Sequence, residues 1–414
     1  MDFFQCLPLD KARDRIAGSL AGVTVAPETV LLIDALGRVA AQDLRSPEDL
    51  PPFSRSTVDG FAVRSADTFG ASETAPAFFV VIGEVFMGQA APMELAPGQA
   101  VAIPTGGMVP AGADAVIMLE YTEQPDRQTL LALKPVAPGE NMVAKGEDVS
   151  AGRRMVKQGQ KITPGHIGVL AACGITEVLV RQRVKVALIS TGDELVDIHE
   201  TVQMGQIRDV NSYALGAMLK EAGCQVTLMG IVRDCGADFI EALQKATKDH
   251  HLVIISGGSS VGARDYTVEA INALGDPGVL FHGIAVKPGK PTIFGMIHQV
   301  PIFGLPGHPV AAMVVSEQVV KPALRLLSGQ SEYTEPYRVS ASLGRNLAST
   351  PGRDDFFWIR LHPQGESYRA EPILGKSGLI GLITEADGML HIPADQSGLY
   401  DGEQVKIMLT RSRE

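Results

Sequence analysis

Between Val184 and Gly329, apolar runs of strand length alternate with amphipathic segments of helix length, and this alternation limits the possible folds more than any other feature of the chain. Val184 to Ser190, Gln225 to Val232, Leu252 to Ser256 and Pro301 to Gly304 read as strands, whereas Tyr213 to Ala222, Ala237 to Lys248 and Val310 to Leu327 read as helices. Such a succession builds a mostly parallel sheet covered by helices on both faces, a three-layer α/β/α domain. Gly223 ends the first helix, and Pro322 is expected to bend the last one or end it early.

The flanking segments have a different texture. From Pro47 to about Lys145, short apolar runs such as Ala77 to Val85 and Ala115 to Leu119 are separated by Gly and Pro, which reads as a β-rich domain. Before it, Asp10 is expected to cap a short helix whose Ala12, Ile16 and Leu20 share one face, with helical or linking structure continuing to Ser46. After it, Thr163 and Pro164 open a helix that Gly174 closes and that is expected to pack back on the N-terminal one. Beyond Gly329, alternating pieces at Tyr337 to Leu343, Phe356 to Leu361, Leu390 to Pro393 and Gln404 to Leu409 suggest a small C-terminal β-barrel or sandwich. A chain of 414 residues, 45% of them hydrophobic, exceeds what one core usually serves. The expected organisation is a discontinuous helical linking domain (1–46 plus 147–182), a β-rich domain (47–146), an α/β domain (183–329) and a β-barrel (330–414).

Charge and cysteine usage narrow the functional classes. A formal net charge of -11, with no basic stripe, argues against nucleic-acid or membrane-surface binding, so an anionic ligand would need local donors or a metal ion. Cys6, Cys173, Cys224 and Cys235 are scattered, with no zinc-ligand spacing, and read as reduced thiols. The first ten residues lack the basic start and continuous apolar stretch of a signal peptide, so the expected location is the cytoplasm.

In an open parallel sheet, ligands bind beyond the carboxyl ends of the strands, and the conspicuous polar motifs of the middle domain fall there. Ser190-Thr191-Gly192-Asp193-Glu194 follows the first strand and Arg233-Asp234 the second. Gly257-Gly258-Ser259-Ser260-Val261-Gly262 follows the third, and Leu305-Pro306-Gly307-His308-Pro309 follows the strand at Pro301. The Gly-Ser loop offers backbone N–H groups and hydroxyls to an anion, although Gly-Ser turns also join strands to helices without any ligand, and it lacks the ending of a P-loop. Glu194, Asp234 and Asp265, from three strand ends, could be hard oxygen ligands for Mg²⁺, while each alone reads equally as a helix cap or a solvated acid. Lys287-Pro288-Gly289-Lys290 sets two ammonium groups around a stiff turn, as an anion site would need. Asp59-Gly60, Pro104-Thr105-Gly106-Gly107 and Lys145-Gly146-Glu147-Asp148 are turn residues by default and ligand contacts if they face a cleft. His308 has no second metal ligand nearby in sequence and reads as structural or pocket-lining.

The order of these motifs carries a resemblance. Ser-Thr-Val-Asp-Gly-Phe-Ala, Pro-Thr-Gly-Gly, Lys-Gly-Glu-Asp, Ser-Thr-Gly-Asp-Glu-Leu, Gly-Gly-Ser-Ser-Val-Gly and Lys-Pro-Gly-Lys-Pro follow one another along essentially the whole chain. In this it resembles the molybdopterin molybdenumtransferases, the family that includes the C-terminal domain of gephyrin. The resemblance implies a homodimer of four-domain subunits whose active cleft lies between the α/β domain of one subunit and the β-rich domain of its partner. It implies adenylylated molybdopterin and molybdate as substrates, Mg²⁺ as cofactor and AMP as a product, with an adenylyltransferase as the upstream partner. Position by position, Glu194, Asp234 and Asp265 match acids at the metal and phosphate end, while Asp59, Thr105 and Asp148 match residues contributed across the dimer. Lys287 and Lys290 match the oxyanion pocket beside the Pro306 to Pro309 loop, and Arg353 and Ser377 match the barrel's contribution to molybdate binding. Two positions depart from the family pattern, His308 where Asn is usual and Ala311 where Ser is usual. The α/β domain is also similar to the single-domain adenylyltransferases of the same pathway, and loss of activity in a binding scaffold is the other reading. The β-rich domain and the barrel favour metal insertion.

Overall fold

The structure, a computed structural model, describes residues 6–233, 236–257, 261–331 and 337–410, and for 261–265 the helical backbone alone. Its centre is a six-stranded sheet in the order Gln225–Val232, Lys185–Thr191, Leu252–Gly257, Val300–Leu305, Ile293–Ile297, Pro277–His282. The first four strands are parallel and the last two antiparallel. Alternation along each strand sends successive side chains to opposite faces. Val186, Leu188, Leu252 and Ile254 therefore enter a core beneath Asn211–Glu221 and Pro309–Val315, while Ala187, Ile189, Val253 and Ile255 enter a second core beneath Ala237–Asp249 and Val261–Leu274. This is the three-layer arrangement expected from the alternation. The helix at Val261–Leu274 and the two antiparallel strands had no counterpart in the sequence reading, because short apolar runs broken by Gly and Pro carry little periodicity.

The C-terminal region is a closed five-stranded barrel: Asp354–Gln364, Ser367–Pro372, Arg338–Leu343, Gln404–Leu409 and Gly388–Ile392, the last pairing back to the first. The strand Val286–Lys287 of the α/β region adds in parallel to Asp354–Gln364, with Val286 opposite Asp354 and Lys287 opposite Asp355. Residues 60–132 form a separate six-stranded sheet whose two faces bury Phe61, Phe79 and Leu130, and Val85, Val101 and Val116. Segments on either side of this region pair with each other, Pro27–Leu31 with Glu177–Arg181 and Leu44–Arg45 with Arg154–Val156.

Several local expectations are corrected. The first helix, Leu9–Ser19, has Pro8 at its N-cap and no side-chain cap, so Asp10 lies within the first turn rather than capping it. Residues 27–35, read as helical or linking, form a strand and a short 3₁₀ turn. The helix Pro164–Ala172 has the expected Thr163 cap, but it packs on that 3₁₀ turn and on Arg154–Val156, not on Leu9–Ser19. Leu9, Ala12, Ile16 and Leu20 are instead buried in the α/β core, against the long C-terminal helix of that region. That helix is not ended by Pro322. It passes from Pro309–Val315 through a π-turn at Ser316–Val320 into Lys321–Leu327, the Lys321 N–H reaching back to Ser316 O. Proline has no N–H to offer the carbonyl four residues earlier. Arg13 fills the gap, donating from Nε to Gln318 O at 3.0 Å and from Nη2 to Gln318 Oε1 at 2.6 Å.

His251 precedes the central strand, and its Nδ1 accepts the Lys185 N–H at 3.0 Å. Burial, then the charges of Lys185 and His250, hold its imidazole below the ordinary histidine value. The unfolded chain therefore takes up this proton first, and the stability is present above the ordinary value and lost as pH falls. Between about pH 8 and about pH 5, the His251→Gln variant is expected to lose less melting temperature than the parent. Parallel losses in the two proteins would show that this proton is not taken up on unfolding.

Candidate functional site

The carboxyl ends of the four parallel strands meet along one sheet edge, and their registers bring Thr191 beside Gly257. Gly257 has φ +117°, and a Cβ there would lie 1.9 Å from Thr191 O, so only glycine fits. Beyond it, a buried polar network joins two strand ends, the start of the helix Asn211–Glu221 and the loop at Gly307. Ser190 Oγ and Ser212 Oγ are 2.8 Å apart, and Asn211 Nδ2 donates to Ser256 Oγ at 2.7 Å and to Gly307 O at 2.8 Å. Asp209 Oδ1 accepts the Ser212 N–H at 3.0 Å. Asp209, Asn211 and Ser212 are buried. The sequence reading missed all three, although Asp209 followed by Asn211 at a helix start is a capping pattern that marks the position. Glu194 lies exposed on the loop after Thr191. Asp234, Gly258, Ser259, Ser260 and the side chain of Asp265 lie outside the described residues.

Where the α/β domain meets the barrel, a cavity of about 570 Å³ gathers the predicted oxyanion residues. Lys287, Lys290, Pro306, His308, Arg353 and Ser377 line it, with Ala311 and Cys6. Pro309 is buried at the first turn of the adjoining helix. The lysine turn is rigid. Gly289 has φ +133°, and a Cβ there would fall 2.4 Å from Val315 Cγ2, while Thr292 Oγ1 donates to Gly289 O at 2.7 Å. The loop before the long helix is tied to the barrel twice, by a hydrogen bond between His308 Nδ1 and Ser377 Oγ at 3.0 Å and by the Val310 N–H to Ser377 O at 3.1 Å. His308 is thus a pocket-lining residue that engages the neighbouring hydroxyl.

In the β-rich region, Asp59 Oδ1 accepts both the N–H and the hydroxyl of Thr105, at 2.7 and 3.1 Å, and both residues are exposed. Asp148 is exposed on its own turn, where its carbonyl accepts from Arg153 Nη1 at 2.7 Å. None of these three lines the cavity at the barrel, and neither does Glu194. Among the described residues no group of three His, Cys, Asp or Glu is placed to hold a metal ion.

Known proteins match this chain over nearly its whole length. Residues 7–174 match the model for the MoeA N-terminal region (domain I and II), 187–326 the "Probable molybdopterin binding domain", and 340–410 the MoeA C-terminal region (domain IV). A molybdopterin molybdenumtransferase of Haemophilus influenzae is 37% identical over 403 residues, 97% of this chain and 98% of that protein. This chain belongs to the MoeA family. Another member named molybdopterin molybdenumtransferase, from Staphylococcus aureus, is 33% identical over 98% of this chain and 96% of its own length. A solved MoeA structure from Pyrococcus horikoshii superposes over 99% of this chain and 100% of its own, with a TM-score of 0.83 at 37% identity. The likeness spans every region of the MoeA architecture described above.

Proposed function

We propose that this chain is a transferase of molybdenum cofactor biosynthesis that moves molybdenum from molybdate onto the dithiolene of adenylylated molybdopterin, with release of AMP. The observation that carries the reading is the cavity between the α/β domain and the barrel. Lys287, Lys290 and Arg353 bring three cationic groups to one space, with the Ser377 hydroxyl beside them. A tetrahedral dianion is held by such donors through charge-assisted hydrogen bonds, and fixed loops spare the cost of ordering them. The relatives named molybdopterin molybdenumtransferase match across nearly the full chain.

In this reading the lysines, Arg353 and Ser377 hold molybdate, and the Pro306 to Pro309 loop walls the cavity. The sheet edge, from Gly257 through Ser260, cradles the pterin phosphate. Two molybdenum–sulfur bonds replace two molybdenum–oxygen bonds, the two thiol protons and two protons from solvent leave with the two displaced oxides as two waters, and a further water cleaves the phosphoanhydride to free AMP. Positioning and fixed electrostatics supply the rate. Glu194, Asp234 and Asp265 would supply hard oxygens of the kind that suits Mg²⁺, which when bound would screen the charge of the diphosphate. Asp59, Thr105 and Asp148 complete the site from the second subunit of a homodimer, which accounts for an Asp59 carboxylate that is held in place yet faces solvent in its own chain. The four-domain division given above, a cytoplasmic location and delivery of substrate by an adenylyltransferase belong to the same reading. No helix among the described residues is long and apolar enough to cross a membrane.

Purified protein supplied with adenylylated molybdopterin, molybdate and Mg²⁺ is expected to release AMP and yield cofactor that reconstitutes a molybdoenzyme. Formation of adenylylated pterin from ATP and metal-free pterin would instead support an adenylyltransferase. Tight pterin binding with no AMP released would identify a scaffold.

A further inference from the structure

Asp355 was not singled out by its sequence, yet it is the most deeply buried acid near the oxyanion cavity. Its relative exposure is 0%, and it sits on the barrel strand that pairs with Val286–Lys287. A carboxylate taken fully out of water needs charge partners. Its Oδ1 accepts from Arg353 Nε at 2.9 Å, and Lys287 Nζ lies 3.9 Å from Oδ2. Oδ2 has no hydrogen-bond partner. Arg353 is further anchored by Nη2 to Thr350 Oγ1 at 3.4 Å. One buried acid therefore touches two of the three cations that line the cavity, one from each domain.

We infer that Asp355 is a positioning residue for the oxyanion site: its carboxylate fixes the guanidinium of Arg353 by the Nε edge, leaving Nη1 and the second Nη2 hydrogen for ligand, and draws the Lys287 ammonium to the same wall. The inference rests on the reading of this cavity as the metalate site. Its physical content lies in the sign of one measurement. A negative charge beside an anion site opposes binding, so removing it should tighten the complex by Coulomb's law alone. If the carboxylate aims the cations, removing it weakens the complex in spite of the added positive charge.

The test is calorimetric titration of the full-length protein with molybdate, and with tungstate as a second tetrahedral dianion. Asp355→Asn keeps the shape and can still accept from Arg353 Nε, and a melting curve reports whether it folds. Asp355→Ser, which leaves space rather than strain, is the second variant. Asp355→Ser, which loses the acceptor, is expected to raise the dissociation constant about tenfold, and Asp355→Asn, which keeps it, is expected to lose less. In an Arg353→Lys background, which lacks the Nε donor, the same change is expected to cost little more. Unchanged or tighter binding in a folded Asp355→Ser variant overturns the inference and leaves the cavity reading standing. An equal loss in the Arg353→Lys background also overturns it, because the carboxylate would then act elsewhere. If the parent protein binds neither oxyanion, the cavity reading itself fails and the inference goes with it.

Discussion

Lys290→Ala is expected to lower molybdate-dependent AMP release by about 10- to 100-fold, the loss that follows from deleting one charge-assisted hydrogen bond of about 1.5–3 kcal/mol. The substitution removes the ammonium and spares the turn. The Lys290 carbonyl accepts from the Ile284 and Thr292 N–H groups, each at 3.0 Å, and neither bond involves its side chain. Asp59→Ala is expected to lower release similarly, from the other face of the cleft. Each variant alone is inactive by the proposal, yet coexpression should restore activity, because a mixed dimer pairs the intact Lys290 of one subunit with the intact Asp59 of the other. With random pairing the recovery is roughly a quarter of the parent activity. No recovery from two well-folded variants would remove the shared cleft, and full activity in either variant would remove that residue from the site.

Gly257→Ala is expected to destabilise the α/β domain by about 2–5 kcal/mol, from left-handed backbone strain and overpacking together. The obstacle is the Thr191 carbonyl, which belongs to the neighbouring strand and cannot rotate away as a side chain would. A domain of this size should lose roughly 5–15 °C in melting temperature. Gly70→Ala, where φ is +87° and a Cβ meets open space, is the comparison: it shares the backbone penalty and lacks the clash. Equal melting temperatures for the two variants would show that the strand ends can spread.

The central sheet was legible because Lys185–Thr191, Leu252–Gly257 and Val300–Leu305 are largely apolar and buried along nearly their whole length, as strands covered on both faces are. Gln225–Val232, and Gln404–Leu409 in the barrel, span the residues that their apolar positions mark. The antiparallel strands Pro277–His282 and Ile293–Ile297 were hidden because one lies between a proline and a glycine-rich turn and the other follows it, so neither has a clean period. The partnership of helix Leu9–Ser19 was hidden for a different reason. An apolar stripe states that a helix face is buried, not which surface buries it, and here the answer depended on an arginine meeting a carbonyl 305 positions away. At the cavity, Lys287, Lys290, Arg353 and Ser377 could be named from motifs, and the structure brings them together. Asp355 could not be named. Next to Asp354 it looks like half of an ordinary acidic pair, and its role arises from the strand pairing that buries one member and leaves the other to meet His391 at 2.6 Å.

The short strand Val286–Lys287 ties the lysine turn to the barrel by backbone hydrogen bonds. A chain whose barrel has not yet closed has nowhere to dock that strand, and its lysines and its arginine remain apart. By the proposed function, the grip on the metal oxyanion comes into being only when the α/β domain and the barrel have joined along their shared core. On that reading an incompletely folded molecule engages the organic substrate at the sheet edge without capturing metal, and the seam is a checkpoint on the integrity of the chain before molybdenum is committed.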